Sequence, residues 1–322
     1  MKALKYNQIN LIPNYSECFS RSDCDTSVDL CGKTFKLPII PANMKSVISM
    51  KVARWMSDND YFYIMHRFDN SLRDIVSQMN DENWKTISVS MGVKLCDKKD
   101  IVALSKHRQV IDDITIDVAH GHHERVKSAI DCVKRYMPTT KIIAGNVATA
   151  QAVKDLASWG ADVVKVGIGQ GSPCTTKDKT GFTMPMFTCT QICSNNFIDE
   201  DGEAIPIIAD GGIQSNGDIA KGIVAGAKMV MAGGLFAACI DSPAASSIIN
   251  GMPHKAYFGS ASIENKGHKN HVEGKLNNIC SNSMSYEDKL FEIEQDVQSA
   301  ISYAGGSDLS CLSGDVDYVE VG

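Results

Sequence analysis

The sequence has no excess of basic residues, no long apolar run and no closely spaced cysteine pair. Lys and Arg total 32 against 38 Asp and Glu, a formal net charge of −6. Nucleic acid is therefore not an expected partner, because binding to a phosphate backbone needs a basic excess or a basic stripe. The longest apolar stretches, 39–44 and 229–236, are far shorter than the roughly 20 residues that span a bilayer. With no apolar export signal at the start, we expect a cytoplasmic protein that does not enter membranes.

The eleven cysteines exclude two common uses of this residue. Their number is odd and none of them forms a Cys-x-x-Cys pair, which disfavours both a disulfide framework and a structural zinc site. Reduced thiols fit this pattern best, and most of them are expected to act as small buried hydrophobic side chains.

Short apolar runs of β-forming residues recur along the chain and alternate with helix-like segments. Eight such runs are candidate strands, at residues 38–44, 63–66, 86–92, 113–120, 141–147, 163–169, 206–212 and 229–235. Helices are predicted between and after them, for example at 46–58, 71–80, 123–136, 149–159, 215–225 and 286–301. Continuous apolar strands that alternate with helices indicate a parallel sheet covered on both faces. Eight units predict an α/β fold, a (β/α)8 TIM barrel, and a doubly wound open sheet is the structural alternative.

Two segments interrupt this rhythm, 169–196 after the sixth candidate strand and 241–286 after the eighth. Both are predicted to be long loops, and long loops in a compact fold commonly act as lids or binding loops. We therefore predict one domain over residues 1–322, with an N-terminal extension, a mobile catalytic loop at 169–196 and a flap at about 241–286.

Polar residues and glycines follow the candidate strands at the ends where a barrel carries its active site. Asp210-Gly211-Gly212 and Gly233-Gly234 end the seventh and eighth strands, and such glycines let backbone N–H groups approach a phosphate; the alternative is that they only form tight turns. A carboxylate beside such a cradle suits ribose hydroxyls, so a nucleotide monophosphate is the expected ligand.

Cys174 differs from the other cysteines because it lies in a glycine-rich loop, 167–176, with Lys177 and Lys179 nearby. Access, loop dipoles and cations are what a nucleophilic thiol requires. The clustered His120, His122 and His123 suggest a metal site, but their spacing matches no zinc motif, and solvated histidines at a strand end are the competing interpretation.

Together these segments resemble GMP reductases, in the superfamily that also contains inosine monophosphate dehydrogenase. The resemblance covers nearly the whole chain and is carried by residues 11–13, 20–22, 41–44, 116–122, 144–147, 165–176, 208–213, 257–262 and 273–275. It implies NADPH-dependent reductive deamination of GMP to IMP with release of ammonia, in purine salvage, on a barrel that assembles as a homotetramer.

The resemblance also implies roles for individual residues. Cys174 would form a covalent thioimidate at purine C2, and Thr176 and Glu273 would form the proton relay to the leaving amine. The substrate site would comprise Ser172, Asp210, Gly211, Gly212, Gly233, Gly234, Gly259, Ser260, Ala261 and Gly274. Cofactor contacts would come from Ser20, Arg21, Arg67, Asp117, Val118, Ala119, Ile168 and Gly169, with Ser20 and Arg21 reaching a neighbouring subunit. A monovalent cation, potassium, would bind main-chain carbonyls of Gly169, Gly171 and Cys174.

The dehydrogenase is the main alternative, since it shares the barrel and the cysteine but hydrolyses the intermediate with an activated water. Most of its members insert a regulatory module between early barrel units, and here the second and third candidate strands are joined too briefly for one. Its flap also carries an Arg-Tyr pair, which 241–286 lacks. A third interpretation is a nucleotide-binding barrel with little or no catalysis.

Three departures from the family pattern fall near the predicted nucleophile. Gln170 stands where proline is usual, Pro173 where valine or isoleucine is common, and 183–186 replaces a glycine-containing segment. Pro173 has a fixed φ and no N–H donor, so we expect it to affect how Cys174 or the nearby carbonyls are aimed.

Overall fold

The computed structural model describes residues 2–194, 204–313 and 316–321. Its strands are β1 (Ile9–Leu11), β2 (Val28–Leu30), β3 (Lys33–Phe35), β4 (Ile39–Pro41), β5 (Ser88–Met91), β6 (Asp113–Asp117), β7 (Lys141–Val147), β8 (Val163–Val166), β9 (Ile207–Asp210), β10 (Met229–Ala232), β11 (Ser246–Ile249), β12 (Met252–Phe258), β13 (Leu276–Cys280) and β14 (Tyr318–Glu320).

Its α-helices are α1 (Met50–Asp58), α2 (Leu72–Asp81), α3 (Leu95–Lys106), α4 (Glu124–Tyr136), α5 (Ala150–Trp159), α6 (Thr176–Thr180), α7 (Met186–Ser194), α8 (Gly217–Val224), α9 (Gly234–Ala237), α10 (Ile263–Lys266) and α11 (Tyr286–Ala304). Short 3-10 helices occupy Tyr6–Gln8, Arg21–Asp23 and Leu309–Leu312. No helix of the described residues is long and apolar enough to span a bilayer.

Seven strands form one parallel sheet in the order β4-β10-β9-β8-β7-β6-β5. The second predicted strand contributes an isolated parallel bridge, Met65 to Val89, beside β5. Strands β5, β8 and β10 are buried at every residue, as expected when helices cover the outer face and side chains fill the interior. The predicted barrel class is confirmed, with its second strand reduced to that bridge.

Local sequence signals set the starts and ends of several outer helices. The Ser49, Ser71, Thr149 and Ser285 side chains accept hydrogen bonds from the first turns of α1, α2, α5 and α11, which satisfies N–H groups that have no partner within the helix. Glycines with positive φ, Gly160 and Gly305, end α5 and α11, because a residue without Cβ adopts that conformation at little cost.

Both segments predicted as long loops contain regular structure. Residues 241–286 fold into a three-stranded antiparallel sheet, β11-β12-β13, and the short helix α10. The segment after β8 contains α6 and α7, while positions 195 and 196 of the predicted loop lie outside the described residues. The prediction of a loop was wrong for the flap. Its polar, Gly- and His-rich composition does not show the alternation of buried and exposed residues that indicates strands. Helix α7 was not predicted because its Thr and Cys residues do not indicate a helix, and because it is buried on most sides.

Candidate functional site

A cavity of about 410 Å³ opens at the C-terminal ends of the parallel strands. Strand ends, the cysteine loop and the flap all contribute to its wall, as expected for the reactive face of a barrel. The predicted site residues that line it are Arg67, Asp117, Val118, Ala119, Ile168, Gly169, Gly171, Ser172, Cys174, Thr176, Asp210, Gly211, Gly212, Gly233, Gly259, Ser260, Ala261 and Glu273.

Four other predicted site residues lie outside this lining. Gly234 begins α9 directly after the lining residue Gly233, and Gly274 pairs with Cys174 through the backbone. Ser20 and Arg21 lie at the N-terminal 3-10 helix, where the Arg21 guanidinium stacks over the Tyr303 ring of α11 at 5.1 Å. Within one chain, these last two residues do not line the cavity.

A hydrogen-bonded chain of three side chains stands at the mouth of the cavity. The Cys174 thiol donates to Thr176 Oγ1 at 3.2 Å, and the Thr176 hydroxyl donates to Glu273 Oε2 at 2.7 Å. A carboxylate thus connects to a thiol through one hydroxyl, and such an arrangement can deliver or remove a proton beside a group bound to the sulfur.

The flap is joined to the cysteine loop through its backbone. Cys174 and Gly274 form an antiparallel bridge, the Thr175 amide donates to the Glu273 carbonyl at 2.8 Å, and the Lys275 amide donates to the Pro173 carbonyl at 2.9 Å. A Cβ on Gly274 would contact Ser262 N at 2.8 Å, so the close approach needs glycine. This pairing is what brings Glu273, 97 residues further along the chain, to Thr176.

On the strand side of the cavity, a buried lysine joins two carboxylates. The Lys165 ammonium, whose side chain is 3% exposed, lies 2.6 Å from Asp210 Oδ2 and 3.2 Å from Asp117 Oδ1. Burial by itself lowers the pKa of Lys165, but the attraction of Asp210 and Asp117 outweighs it, so the pKa is raised and the lysine stays charged. The Asn146 amide also donates to Asp210 Oδ2 at 2.8 Å, which fixes the orientation of that carboxylate.

Glycines shape the wall beside Asp210 because they allow close approach. Gly211 and Gly212 have φ of +103° and +81°, values that other residues rarely adopt. A Cβ on Gly233 would overlap the Tyr257 hydroxyl. Gly211, Gly212 and Gly233 thus line the wall, with Tyr257 against Gly233. The phosphate cradle at these glycines stays a prediction.

Arg67 and Asp117 lie together on another part of the wall. Arg67 Nε is 3.8 Å from Asp117 Oδ2, close enough for charge attraction but too far for a hydrogen bond. This Nε is buried and has no hydrogen-bond partner within the chain, and a buried polar atom that lacks a partner is one that a ligand can satisfy.

Two of the three family departures contact each other. The Gln170 amide donates to Thr183 Oγ1 at 2.6 Å, and the Thr183 hydroxyl donates to the Ile168 carbonyl at 2.8 Å. The third, Pro173, is buried, and its carbonyl accepts from the flap. Gln170, Pro173 and Thr183 thus each take part in hydrogen bonds that hold the cysteine loop in place.

The histidine cluster does not assemble a metal site. Over 2–194, 204–313 and 316–321, no three His, Cys, Asp or Glu side chains group closely enough to hold a metal ion. His122 Nε2 instead lies 2.8 Å from Asp155 Oδ2, and its ring stacks on Trp159. The predicted cation site at Gly169, Gly171 and Cys174 uses main-chain carbonyl oxygens instead of these side chains, so it stays a prediction.

Sequence reasoning missed Lys165 and Tyr257 as cavity residues. A charged residue in the otherwise apolar β8, Val163–Val166, was the available signal for Lys165, since a fully buried lysine needs charged partners. Tyr257 lies in a segment predicted as a loop, and its place in the stretch 257–262 that carries the family resemblance was the available signal.

Comparison with known proteins agrees with this geometry. The family described as IMP dehydrogenase / GMP reductase domain matches residues 3–322. Proteins of Staphylococcus aureus strains JH9, JH1 and Mu50, each named GMP reductase, are 45% identical over 323 residues, covering 100% of this chain and 97% of each relative. The chain therefore belongs to the IMP dehydrogenase / GMP reductase family.

Proposed function

We propose that this protein is a GMP reductase, which converts GMP to IMP and ammonia with a nicotinamide cofactor, in the form NADPH. The observation that carries the proposal is the hydrogen-bonded chain Cys174–Thr176–Glu273 in the cavity that also contains Asp210. The 45% identity to proteins named GMP reductase over the whole chain supports this choice within the family.

The proposed reaction begins at the Cys174 sulfur. The Cys174 thiol passes its proton through Thr176 to Glu273, and the resulting thiolate adds to purine C2. The bond from C2 to the exocyclic nitrogen then breaks, and the nitrogen leaves as ammonia with the proton that Thr176 relays back from Glu273. An amine leaves poorly unless it is protonated, which is why a donor is needed here. Once C2 of the covalent thioimidate has received a hydride, the bond from C2 to the Cys174 sulfur breaks, which gives IMP and releases the sulfur as thiolate.

When bound, a nicotinamide cofactor would supply the hydride that C2 receives. We assign its contacts to Arg67, Asp117, Val118, Ala119, Ile168 and Gly169, all of which line the cavity that contains Cys174. The unpartnered Arg67 Nε supports this assignment, and a guanidinium suits the extra phosphate of NADPH. Ser20 and Arg21 would act at a neighbouring subunit's site in a homotetramer.

The substrate contacts follow the two sides of the cavity. Asp210, oriented by Lys165 and Asn146, would accept hydrogen bonds from the ribose. The phosphate would bind at Ser172, Gly211, Gly212, Gly233 and Gly234, while Gly259, Ser260, Ala261 and Gly274 would line the base. The cation assignment, potassium at the Gly169, Gly171 and Cys174 carbonyls, rests on the resemblance. A cytoplasmic location, expected from the sequence, belongs to the same proposal.

One assay separates the three candidate functions. The protein is incubated with GMP and NADPH, or with IMP and NAD, and the absorbance of the reduced nicotinamide is followed. We expect consumption of NADPH that depends on GMP, with one ammonia formed per NADPH. Formation of NADH from IMP would instead establish a dehydrogenase, and no change in either mixture, with GMP bound, a non-catalytic nucleotide-binding barrel.

A further inference from the structure

The N-terminal extension brings two thiols together away from the cavity. Cys18 Sγ and Cys24 Sγ lie 3.5 Å apart, six residues apart along the chain. We propose that Cys18 and Cys24 form a redox-active dithiol, a modification site that a low-molecular-weight disulfide oxidises to an intramolecular disulfide. This proposal does not depend on the proposed reaction and involves no residue that lines the cavity, although Ser20 and Arg21, assigned above to a neighbouring subunit's cofactor site, lie between the two cysteines.

The local structure allows the two sulfurs to bond. A disulfide requires a sulfur separation of about 2.05 Å, so the sulfurs need to approach by about 1.5 Å. Residues 12–20 have no regular secondary structure, and only the single-turn helix Arg21–Asp23 separates them from Cys24. In the reduced form, the Cys18 thiol donates to the Ser20 carbonyl at 3.1 Å, and this contact is the one that oxidation removes.

The accessibility of the two thiols differs, which assigns their roles. Cys18 is partly exposed whereas Cys24 is 4% exposed, so a small oxidant meets Cys18 first. Burial, and then the contact with Cys18, raises the pKa of Cys24 to about 11. Cys24 is therefore the less accessible and less nucleophilic of the two thiols, and acts as the resolving thiol.

The exchange balances in two steps. The Cys18 thiolate attacks one sulfur of the small disulfide, forming a mixed disulfide and releasing one thiolate. Cys24 then loses its proton to solvent and attacks the Cys18 sulfur, which releases the second thiolate. Two protein thiols are oxidised, and one small disulfide is reduced to two small thiols.

Other thiols in the described chain provide controls. Cys189 and Cys193 lie one turn apart on α7, are at most 1% exposed, and are held by the helix backbone, so they offer an oxidant no access. Cys280 is exposed and contacts the His254 ring at 3.5 Å, which makes it a site for a single adduct rather than a disulfide.

The test is oxidation of the full-length Cys280→Ser protein with glutathione disulfide, followed by alkylation of remaining thiols and digestion with trypsin. Cleavage after Arg21 separates the two cysteines, so a disulfide links peptides 6–21 and 22–33. We expect that linked peptide, a loss of two alkylatable thiols, and recovery of both on adding dithiothreitol.

Because peptide 22–33 also contains Cys31, two variants identify the partner. The link should persist in Cys31→Ser and disappear in Cys18→Ser, which changes a partly exposed residue and is expected to fold; Cys189→Ala should behave as the parent. The proposal is overturned if glutathione stays on Cys18 as a stable adduct, if the link depends on Cys31, or if no thiols are lost.

Discussion

The two sides of the cavity differ in how the fold holds them. The loop side consists of Cys174, Thr176 and Glu273, neutral and charged groups that segments outside the barrel strands bring together by a hydrogen-bonded chain. The strand side consists of Lys165, Asp210 and Asn146, which project from three adjacent parallel strands and are linked by ionic hydrogen bonds. The groups proposed for bond breaking thus lie on segments that connect the barrel elements, whereas the groups proposed for substrate orientation lie on the parallel sheet itself.

The largest effect should follow from removing the proposed nucleophile on the loop side. Cys174→Ala is expected to lower kcat for GMP-dependent NADPH oxidation by about a thousandfold or more, because no other group in the chain Cys174–Thr176–Glu273 can form the covalent intermediate. GMP binding, measured by calorimetry, should change little. Cys280→Ala, on an exposed flap cysteine, is the matched control, and undiminished turnover in Cys174→Ala would refute covalent catalysis.

The second prediction concerns the proton relay. Glu273→Gln keeps the size of the side chain but removes the carboxylate that accepts from Thr176, so kcat should fall about 100-fold or more while the Kd for GMP stays within a few-fold. Rapid-quench measurement of ammonia release locates the slowed step. The exposed flap residue Glu264 provides the control Glu264→Gln, and equal losses in binding and turnover would contradict a relay.

On the strand side, we expect one substitution to lower both the stability of the fold and the affinity for GMP. Lys165→Met leaves Asp210 and Asp117 without their buried cation, and breaking such a group is expected to cost about 3 to 5 kcal/mol in the free energy of unfolding. Urea unfolding measures the loss, and calorimetry the accompanying weaker GMP binding. Lys141→Met, which removes the exposed pair with Asp162, should cost about 1 kcal/mol or less. Similar losses of unfolding free energy in Lys165→Met and Lys141→Met would contradict the special role of the buried lysine.

The smallest effect per measured step, a change from one pH unit to the next, tests the interior of the same sheet. Strand β6 has Asp117 at its end, facing Lys165, and Asp113 at its start, where burial raises the carboxyl pKa to about 7 from 3.8. Between about pH 4 and pH 7, the folded protein therefore keeps a proton on Asp113 that the unfolded chain loses. The contribution of this carboxyl to stability is full below about pH 4 and declines as the pH rises to 7.

The difference in unfolding free energy between Asp113→Asn and the parent should therefore change by up to about 1.4 kcal/mol per pH unit in this window, in favour of the variant as the pH rises. Urea unfolding at pH values from 4 to 8 measures it. Parallel curves for the two proteins would show that Asp113 titrates normally.

The sequence by itself determined the barrel class and most of the cavity wall. Fully buried strands alternate with capped helices, and that pattern is local, so it can be read without knowing the fold. The glycine pairs after β9 and β10 and the polar residues at strand ends were likewise visible, because parallel strands bring all their C-terminal ends to one face.

Only the tertiary structure decided which distant residues meet. The backbone bridge from Cys174 to Gly274 delivers Glu273 to Thr176, and Lys165 acquires its role from Asp117 and Asp210 on other strands. The flap sheet and the Cys18–Cys24 contact were also hidden, because composition indicates polarity but not pairing. Residue patterns report which face of an element is buried, whereas contacts between segments depend on how those elements pack, and packing is a property of the whole chain.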